Sequence, residues 1–339
     1  MSGRIGFACK WLDTPDECAG RKPTSESRDL NGRSTTMRWL REHKNEAEQR
    51  QWDIMNHNAR AALLMVERVG SLPAHLRMVR LGSEMLQGYT EPDWKSWWQQ
   101  ADVQAHCERI FAPVGESARR LGVRLSFHPG QFCVLASESN EIVERSIEEF
   151  EYHADMARWM GYGKTFQDFK INVHISGRKG PAGIQSALKR LSPEARNCIT
   201  IENDEMTWGI DASLELAQDC ALVLDIHHHW IKTGEYIENN DDRVKKIIDS
   251  WRGVRPVIHY SVSREDVLVG HSRHNRPALV PLMEAGHKKG KLRAHSDFYW
   301  NDDVNAWAIT HSTWADIMCE SKGKNLASID FAERFLKNV

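Results

Sequence analysis

The fold class is decided by a stretch of sequence that runs VRLSFH (residues 123–128), EIVERSIEEFEYHADMARWMG (residues 141–161) and INVHI (residues 171–175). In the middle segment, apolar residues at positions 143, 147, 150, 154, 157 and 160 follow the three-to-four spacing of one helix face. The two flanking runs are short and apolar, which predicts buried strands. A helix between two such strands is typical of parallel strand pairing.

The same alternation extends over the whole chain. Eight apolar runs predict strands at Arg4–Cys9, Met78–Ser83, Val123–His128, Ile171–Ile175, Ile199–Glu202, Leu222–Asp225, Val257–His259 and Ile317–Glu320. Amphipathic segments predict helices at Trp52–Gly70, Gln104–Gly122, Glu141–Gly161, Gly183–Leu191, Ala212–Cys220, Asp241–Trp251 and Asp303–His311. Gly70, Gly122 and Gly161 close three of these helices, where a left-handed C-cap is expected.

Eight strand–helix units predict a closed (β/α)8 TIM barrel of the α/β class. A doubly wound open sheet is the main alternative, and the lack of a GxGxxG turn after the first predicted strand disfavours it. We expect a single domain covering residues 1–339, interrupted by a long polar N-terminal loop region at 10–50 and by a basic insertion at 262–293, after the seventh strand. The insertion carries seven Lys/Arg against three Asp/Glu, so either segment could line a substrate groove or be solvated surface.

Composition excludes several classes of protein. Seven cysteines without a CxxC pair argue against a disulfide framework and against a zinc ribbon. The formal net charge of −2 gives no global attraction to nucleic acid, so any contact with DNA must be local. No signal-type segment and no apolar run of about 18 residues occurs, which predicts a cytoplasmic protein without membrane attachment. Nothing in the sequence indicates an obligate protein partner.

The side chains at the predicted strand ends are of the metal-binding type. Six strands end at or beside such a residue: His128, His174, Glu202, Asp225, His259 and Glu320. Two further histidines, His228 and His295, lie close to these positions in the sequence. The carboxyl ends of all barrel strands meet on one face, and carboxylates crowded there would repel one another unless divalent cations were present. The pattern therefore predicts a polynuclear metal site, although any one of these residues alone could be a satisfied polar group or a helix cap.

Such a centre is compatible with two kinds of chemistry. Mixed imidazole and carboxylate ligands suit Zn, Mn or Fe, and two or three such ions can assist phosphodiester hydrolysis. Metal-dependent sugar isomerases and epimerases use the same fold with similar ligands, so that alternative stays open. Five histidines among eight candidate ligands and the basic insertion favour the nuclease.

Five motifs together resemble the UV damage endonuclease family. They are HPGQF (128–132), ENDE (202–205), DIHH (225–228), HSD (295–297) and ESKGK (320–324), and they occur in the family's order. The resemblance covers roughly residues 4–324 and extends to apurinic endonuclease IV and the xylose-isomerase-like barrels. It implies a metal-dependent DNA repair endonuclease that cuts damaged duplex DNA 5′ to UV photoproducts, with abasic sites as a second implied substrate.

The resemblance also implies a role for each matched residue. The implied ligands of a first ion are His128, His174 and Glu202. A second ion would share Glu202 and be held by Asp225, His259 and Glu320. A third ion would be held by His228 and His295. Mn²⁺ is the implied metal, with Zn²⁺ or Fe²⁺ as alternatives, and Glu202 and Glu320 are the implied catalytic carboxylates. The residues at the family's lesion-contacting positions are Gln131, Phe132 and Phe7.

The chain departs from the family at three of these positions. Val257 stands where the family has a modified lysine that contributes to the metal site, so a third ion keeps only two implied ligands. Phe7 and Phe132 stand where the family has tyrosines, so ring stacking remains while the hydroxyl groups are lost. These differences predict either a changed range of lesions or a changed metal complement.

Overall fold

Eight parallel strands close into a barrel in the computed structural model, which describes residues 3–336. The strands are β1 (Ile5–Ala8), β2 (Met78–Arg80), β3 (Arg124–Phe127), β4 (Lys170–His174), β5 (Ile199–Glu202), β6 (Ala221–Asp225), β7 (Val257–Tyr260) and β8 (Asp316–Cys319). Each strand pairs in parallel with the next one along the chain, and β8 pairs with β1. The predicted (β/α)8 barrel is therefore confirmed.

Helices cover the outside of the barrel and fill several of its loops. The first eight are α1 (Pro15–Cys18), α2 (Ser25–Leu30), α3 (Met37–Glu42), α4 (Lys44–Gly70), α5 (Pro92–Trp98), α6 (Ala101–Leu121), α7 (Asn140–Trp159) and α8 (Gly180–Leu188). The others within the described range are α9 (Pro193–Cys198), α10 (Ile210–Leu214), α11 (Ile226–Thr233), α12 (Asp242–Ser250), α13 (Leu279–Glu284), α14 (Lys289–Leu292), α15 (Asp302–Thr310) and α16 (Lys324–Phe335). None of the helices in residues 3–336 is long and apolar enough to span a membrane.

The inside of the barrel is polar over much of its height. At the amino-terminal end of the strands, Arg124 and Asp316 form a buried ion pair with an Nη1–Oδ2 distance of 2.8 Å. One layer higher, the hydroxyl of Thr200 donates to Oδ1 of Asn172 at 2.8 Å. The amide of Asn172 in turn donates to Glu202 at the carboxyl end of β5. This chain of hydrogen bonds supports Glu202 from below, which orients its carboxylate.

The polar segment 10–50 is more ordered than predicted. It contains α1, α2, α3 and the first turns of α4, so the expectation of a long loop was wrong. Two of these short helices begin at threonines whose side chains cap them: Thr24 accepts the N–H of Ser27 at 3.2 Å, and Thr36 accepts that of Trp39 at 3.1 Å. Helices of six residues are too short to show a clear hydrophobic period, so the sequence pattern does not indicate them.

Two of the three predicted glycine C-caps have the expected conformation. Gly122 and Gly161 have φ angles of 66° and 83°, in the left-handed region. Gly70 instead lies inside the last turn of α4, where a Cβ atom would lie 2.5 Å from Cδ1 of Leu121. The predicted cap at Gly70 was therefore wrong, and the glycine serves the close packing of α4 on α6. The helix expected at Ala212–Cys220 was also misplaced, because α10 already ends at Leu214.

The insertion at 262–293 packs on the barrel rim as a small second core. Leu268, Leu279 and Leu292 of the insertion are buried against Trp230 and Ile231 of α11. The insertion contributes the short helices α13 and α14 and is otherwise built of turns. This layer lies beside the loops that follow β5 and β6, at the same end of the barrel as the predicted ligands.

Candidate metal centre

Glu202 is the hub of the predicted site. Its Oε2 atom lies 3.3 Å from Nε2 of His128, 3.4 Å from Nε2 of His174 and 3.1 Å from Nδ1 of His259. Its Oε1 atom lies 3.4 Å from Nδ1 of His228. The side chain of Glu202 has no exposed surface, so these contacts lie in an environment that strengthens electrostatic interactions.

Three groups of side chains within residues 3–336 bring their ligand atoms within 4.8 Å of one another. The first group is His128, His174 and Glu202. The second is Glu202, Asp225 and His228. The third is Asp225, His259 and Glu320. Because the groups share Glu202 and Asp225, they form one continuous cage that could hold more than one metal ion.

The ends of β5 and β6 are tied together by backbone contacts of Asn203. Its Nδ2 donates to the carbonyl of Asp225 at 3.0 Å, and its Oδ1 accepts the N–H of Asp225 at 2.9 Å. Asp225 is also the N-cap of α11, because its Oδ1 accepts the N–H of His228 at 2.6 Å. One carboxylate oxygen of Asp225 thus caps the helix, while Oδ2 remains available to coordinate a metal ion.

Several buried atoms of the cage have no hydrogen-bond partner among the described residues. They are Oε1 of Glu202, Oδ2 of Asp225 and Nδ1 of His259. Buried carboxylate oxygens without donors are costly unless a cation compensates them. The donor set of imidazoles and carboxylates is the one that Mn, Zn and Fe prefer. The residues present therefore fit divalent transition-metal ions.

The pKa values of the cage side chains show how strongly these groups interact. Burial raises the pKa of Asp225 to about 6. Although burial opposes it, Asp225 and Glu202 raise the pKa of His228 to about 9. Burial also acts against ionisation of Glu202, yet His259 and His174 bring the pKa of its carboxyl well below the usual value. When no metal ion is bound, protons and imidazolium charges thus compensate the negative charge of the carboxylates.

His295 and Phe7 are placed differently from the other predicted residues. Nδ1 of His295 lies 2.8 Å from the carbonyl oxygen of Glu320, and His295 belongs to none of the three groups. Phe7 is 2% exposed and packs edge-on against Trp11 with ring centroids 5.9 Å apart, so its ring lies in the core beneath the helices. The structure brings neither residue into the cage.

Gln131 and Phe132 form an exposed tip beside the cage. They lie in a turn closed by a hydrogen bond from the N–H of Cys133 to the carbonyl of Gly130, at 2.9 Å. Cys133 is buried, whereas the ring of Phe132 is 84% exposed. An aromatic ring is thus held in solvent four residues after the ligand-type His128.

Sequence reasoning missed the guanidinium at the edge of the cage. Arg80 ends β2, and its Nη1 donates to Oε1 of Glu320. The side chain of Arg80 is 12% exposed, and it opposes the effect of burial on Glu320 by lowering the pKa of that carboxyl. The sequence places Arg80 at a predicted strand end, but arginine is not a metal ligand, so the pattern of ligand-type residues does not indicate it.

Comparisons with known proteins agree on one family. The family model described as UV-endonuclease UvdE matches residues 4–337. The chain is 26% identical over 227 residues to a UV-damage endonuclease of Neurospora crassa, covering 61% of this chain and 34% of that protein. It is 26% identical over 269 residues to a UV DNA damage endonuclease of Bacillus velezensis, covering 76% of this chain and 74% of that protein. The chain thus spans about a third of the fungal relative and about three quarters of the bacterial one.

A solved structure supports the fold. The crystal structure of SacUVDE matches with a TM-score of 0.71 at 20% sequence identity, covering 99% of this chain and 98% of that chain. At this level of identity the match concerns the barrel and the order of its elements.

Proposed function

Because the chain belongs to the UvdE family of UV-endonucleases, we propose that it is a metal-dependent DNA repair endonuclease that cuts the backbone of UV-damaged duplex DNA on the 5′ side of the lesion. The observation that carries the proposal is the cage around Glu202, with the exposed ring of Phe132 beside it. Family membership favours this activity over the sugar isomerase or epimerase that the sequence left open. Abasic sites remain a second candidate substrate.

The cage residues are proposed to hold two Mn²⁺-type ions. His128 and His174 would serve one ion, Asp225, His259 and Glu320 the other, and Glu202 would be shared between them. When bound, such ions polarise the scissile phosphate and allow a water to react near neutral pH. In the absence of metal, His259 and His174 lower the pKa of Glu202, and these imidazoles must be neutral when they coordinate an ion.

A third ion has weaker support in this chain. Val257 offers no ligand atom at the position of the family lysine. His295 lies outside the three ligand groups, and His228 lies with Glu202 and Asp225. We therefore propose two ions per chain, with His228 belonging to the shared part of the cage.

Recognition of the lesion is assigned to Gln131 and Phe132. A photoproduct weakens stacking and pairing, so extruding it from the duplex costs less than extruding a normal base. An exposed aromatic ring can fill the gap by stacking on a neighbouring base, which is worth about 1–3 kcal/mol in single-strand binders. Selectivity then depends on how easily the duplex deforms, and no base-specific contact is required. Phe7 is left out of this contact, because its ring is buried.

A nicking assay on defined duplexes tests the proposal. We expect the Mn²⁺-loaded protein to cut a duplex with one cyclobutane dimer, on the damaged strand 5′ to the dimer, and to leave the same undamaged duplex intact. A duplex with one abasic site, run in parallel, separates a photoproduct enzyme from an abasic-site enzyme. Failure to cut any of the three duplexes, with metal content verified, would contradict the proposal. We propose that the protein acts in the compartment that holds its DNA substrate, with which the cytoplasmic location predicted from the sequence is compatible.

A further inference from the structure

Two strained residues meet at the corner of the barrel formed by β1 and β8. Within residues 3–336, three residues other than glycine have positive φ angles: Cys9 (72°), Arg252 (52°) and Lys324 (49°). Cys9 directly follows β1, and Lys324 is the first residue of α16, after β8. Strained conformations persist only where the surrounding structure holds them, and they cluster at functional sites.

Hydrogen bonds hold three loops together at this corner. The buried Asn325 accepts the N–H of Leu12 with Oδ1 at 2.7 Å and donates to the carbonyl of Leu12 with Nδ2 at 2.9 Å. The N–H of Cys9 donates to the carbonyl of Arg80 at 2.7 Å. The loop after β1 is thus fixed both to the start of α16 and to the end of β2, which brings Lys10, Arg80 and Lys324 to one corner.

The corner has more positive than negative charge. Neither Lys10 nor Lys324 has a carboxylate oxygen within 4.0 Å in the described part of the chain, and Arg80 has only that of Glu320. Burial lowers the pKa of Lys324, and the charges of Arg80 and Lys10 act in the same direction. Three cations therefore share one carboxylate, and that carboxylate is also a candidate metal ligand.

We propose that Lys324 binds a backbone phosphate of the DNA substrate at this corner, with Arg80 and Lys10 reinforcing the positive potential. Glycine would adopt the conformation at position 324 without strain, so the presence of a lysine indicates that its ammonium group is used. A lysine binds phosphate as a point charge. Arg80 acts as a positioning residue, because its Nη1 atom is committed to Glu320. This inference rests on the proposed function, since it names a contact within the same site.

The variant Lys324→Gly removes the charge and relieves the backbone strain together. We expect its affinity for the dimer-containing duplex to fall about tenfold, as for one lost charge-assisted contact. The slope of log affinity against log salt should become shallower by about 1. Bound metal should not change, and the melting temperature should stay equal or rise by about 1–3 °C. A purely structural lysine would instead lower the melting temperature.

Lys322→Ala is the matched control. Lys322 lies on the same loop, but its side chain is 49% exposed and its Nζ lies 3.7 Å from Oδ1 of Asp297. The Lys322→Ala substitution removes the same charge, and we expect less than a twofold change in affinity for the dimer-containing duplex. Equal losses for the two variants, or a loss of metal or stability in Lys324→Gly, would overturn the assignment.

A scan with single methylphosphonate linkages locates the phosphate. For the wild-type protein, neutralising one DNA phosphate near the lesion should weaken binding about tenfold. For Lys324→Gly, neutralising the same phosphate should cause no further loss of affinity. Equal costs in both proteins at every position would contradict the assignment. Binding and nicking are measured separately. A wild-type protein that binds but cuts no duplex contradicts the proposed function, and the methylphosphonate scan still tests the role of Lys324. A wild-type protein that neither binds nor cuts contradicts both.

Discussion

Replacing Glu202 by glutamine removes one charge from the centre of the cage while keeping the length of the side chain. Two imidazole Nε2 atoms, those of His128 and His174, lie within 3.4 Å of its Oε2. In the Glu202→Gln variant, the first ligand group is left with two neutral donors. The second ion would also lose the shared carboxylate, but it would keep Asp225, His259 and Glu320. We therefore expect the variant to lose one ion of two.

The size of the effect follows from the burial of Glu202. Removing one partner from a buried charged pair costs about 3–5 kcal/mol, which corresponds to about 10²–10⁴ in affinity at about 1.4 kcal/mol per tenfold. Metal bound after removal of free Mn²⁺ should fall to about half of the wild-type content. Nicking of the dimer-containing duplex at a metal concentration that saturates the wild type should fall at least about a hundredfold.

Glu205→Gln is the matched control for this experiment. Glu205 lies three residues further along the same loop and is also buried, but it pairs with Arg293 at 2.7 Å and belongs to none of the three ligand groups. We expect this variant to keep both ions and to change nicking only a few-fold. The reasoning is refuted if Glu202→Gln keeps the wild-type metal content and rate, or if the control loses as much metal.

Three further predictions concern the DNA surface and the stability of the fold. Reversing the charges of Lys288, Lys289 and Lys291 in the insertion should weaken DNA binding and flatten its salt dependence without changing metal content; unchanged binding would make the insertion mere solvated surface. Phe132→Ala should reduce the rate of cleavage of the dimer-containing duplex about tenfold through lost stacking, whereas Phe132→Tyr should cleave at the wild-type rate. Equal cleavage rates for the two variants would show that the ring does not take part in recognition. Burial lowers the pKa of His311 to about 4, so the folded state binds fewer protons than the unfolded state between about pH 6.5 and pH 4, and stability is lost as the pH falls through that window. The free energy of unfolding, measured in urea, should therefore fall by about 2 kcal/mol less in His311→Phe than in the wild type between about pH 7 and about pH 5. Equal falls in the two proteins would refute a neutral buried imidazole.

The cage was predictable from sequence because all the strands of a closed barrel are parallel. Any side chain at the carboxyl end of a strand faces the same rim, so His128, His174 and Glu202 come together without any knowledge of long-range contacts. The hub role of Glu202 could be inferred only from the resemblance, since nothing in the spacing distinguishes it from Asp225. Distances between the ligand atoms depend on side-chain rotamers, which the sequence pattern does not determine.

The features that escaped prediction depend on contacts between distant segments. The insertion is ordered by apolar side chains such as Leu292, which pack on α11 rather than on their neighbours in sequence. The corner at Lys324 depends on one amide, that of Asn325, which contacts the backbone of Leu12 more than three hundred residues away. Neither contact leaves a periodic signal, so the sequence pattern indicates only a basic loop and a polar helix start.

The interior of the barrel supports the proposal of two ions for this chain. Residues two apart on a strand face the same side, so Val257 lies inside the barrel one layer below His259, paired in register with Asp316. It lines the same internal cavity as Val223 and His259, and its aliphatic side chain carries no ligand atom. The fixed charge of Arg80 already offsets part of the negative charge of Glu202 and Glu320. Two divalent ions would more than compensate what remains, so the charges of these side chains give no support for a third ion.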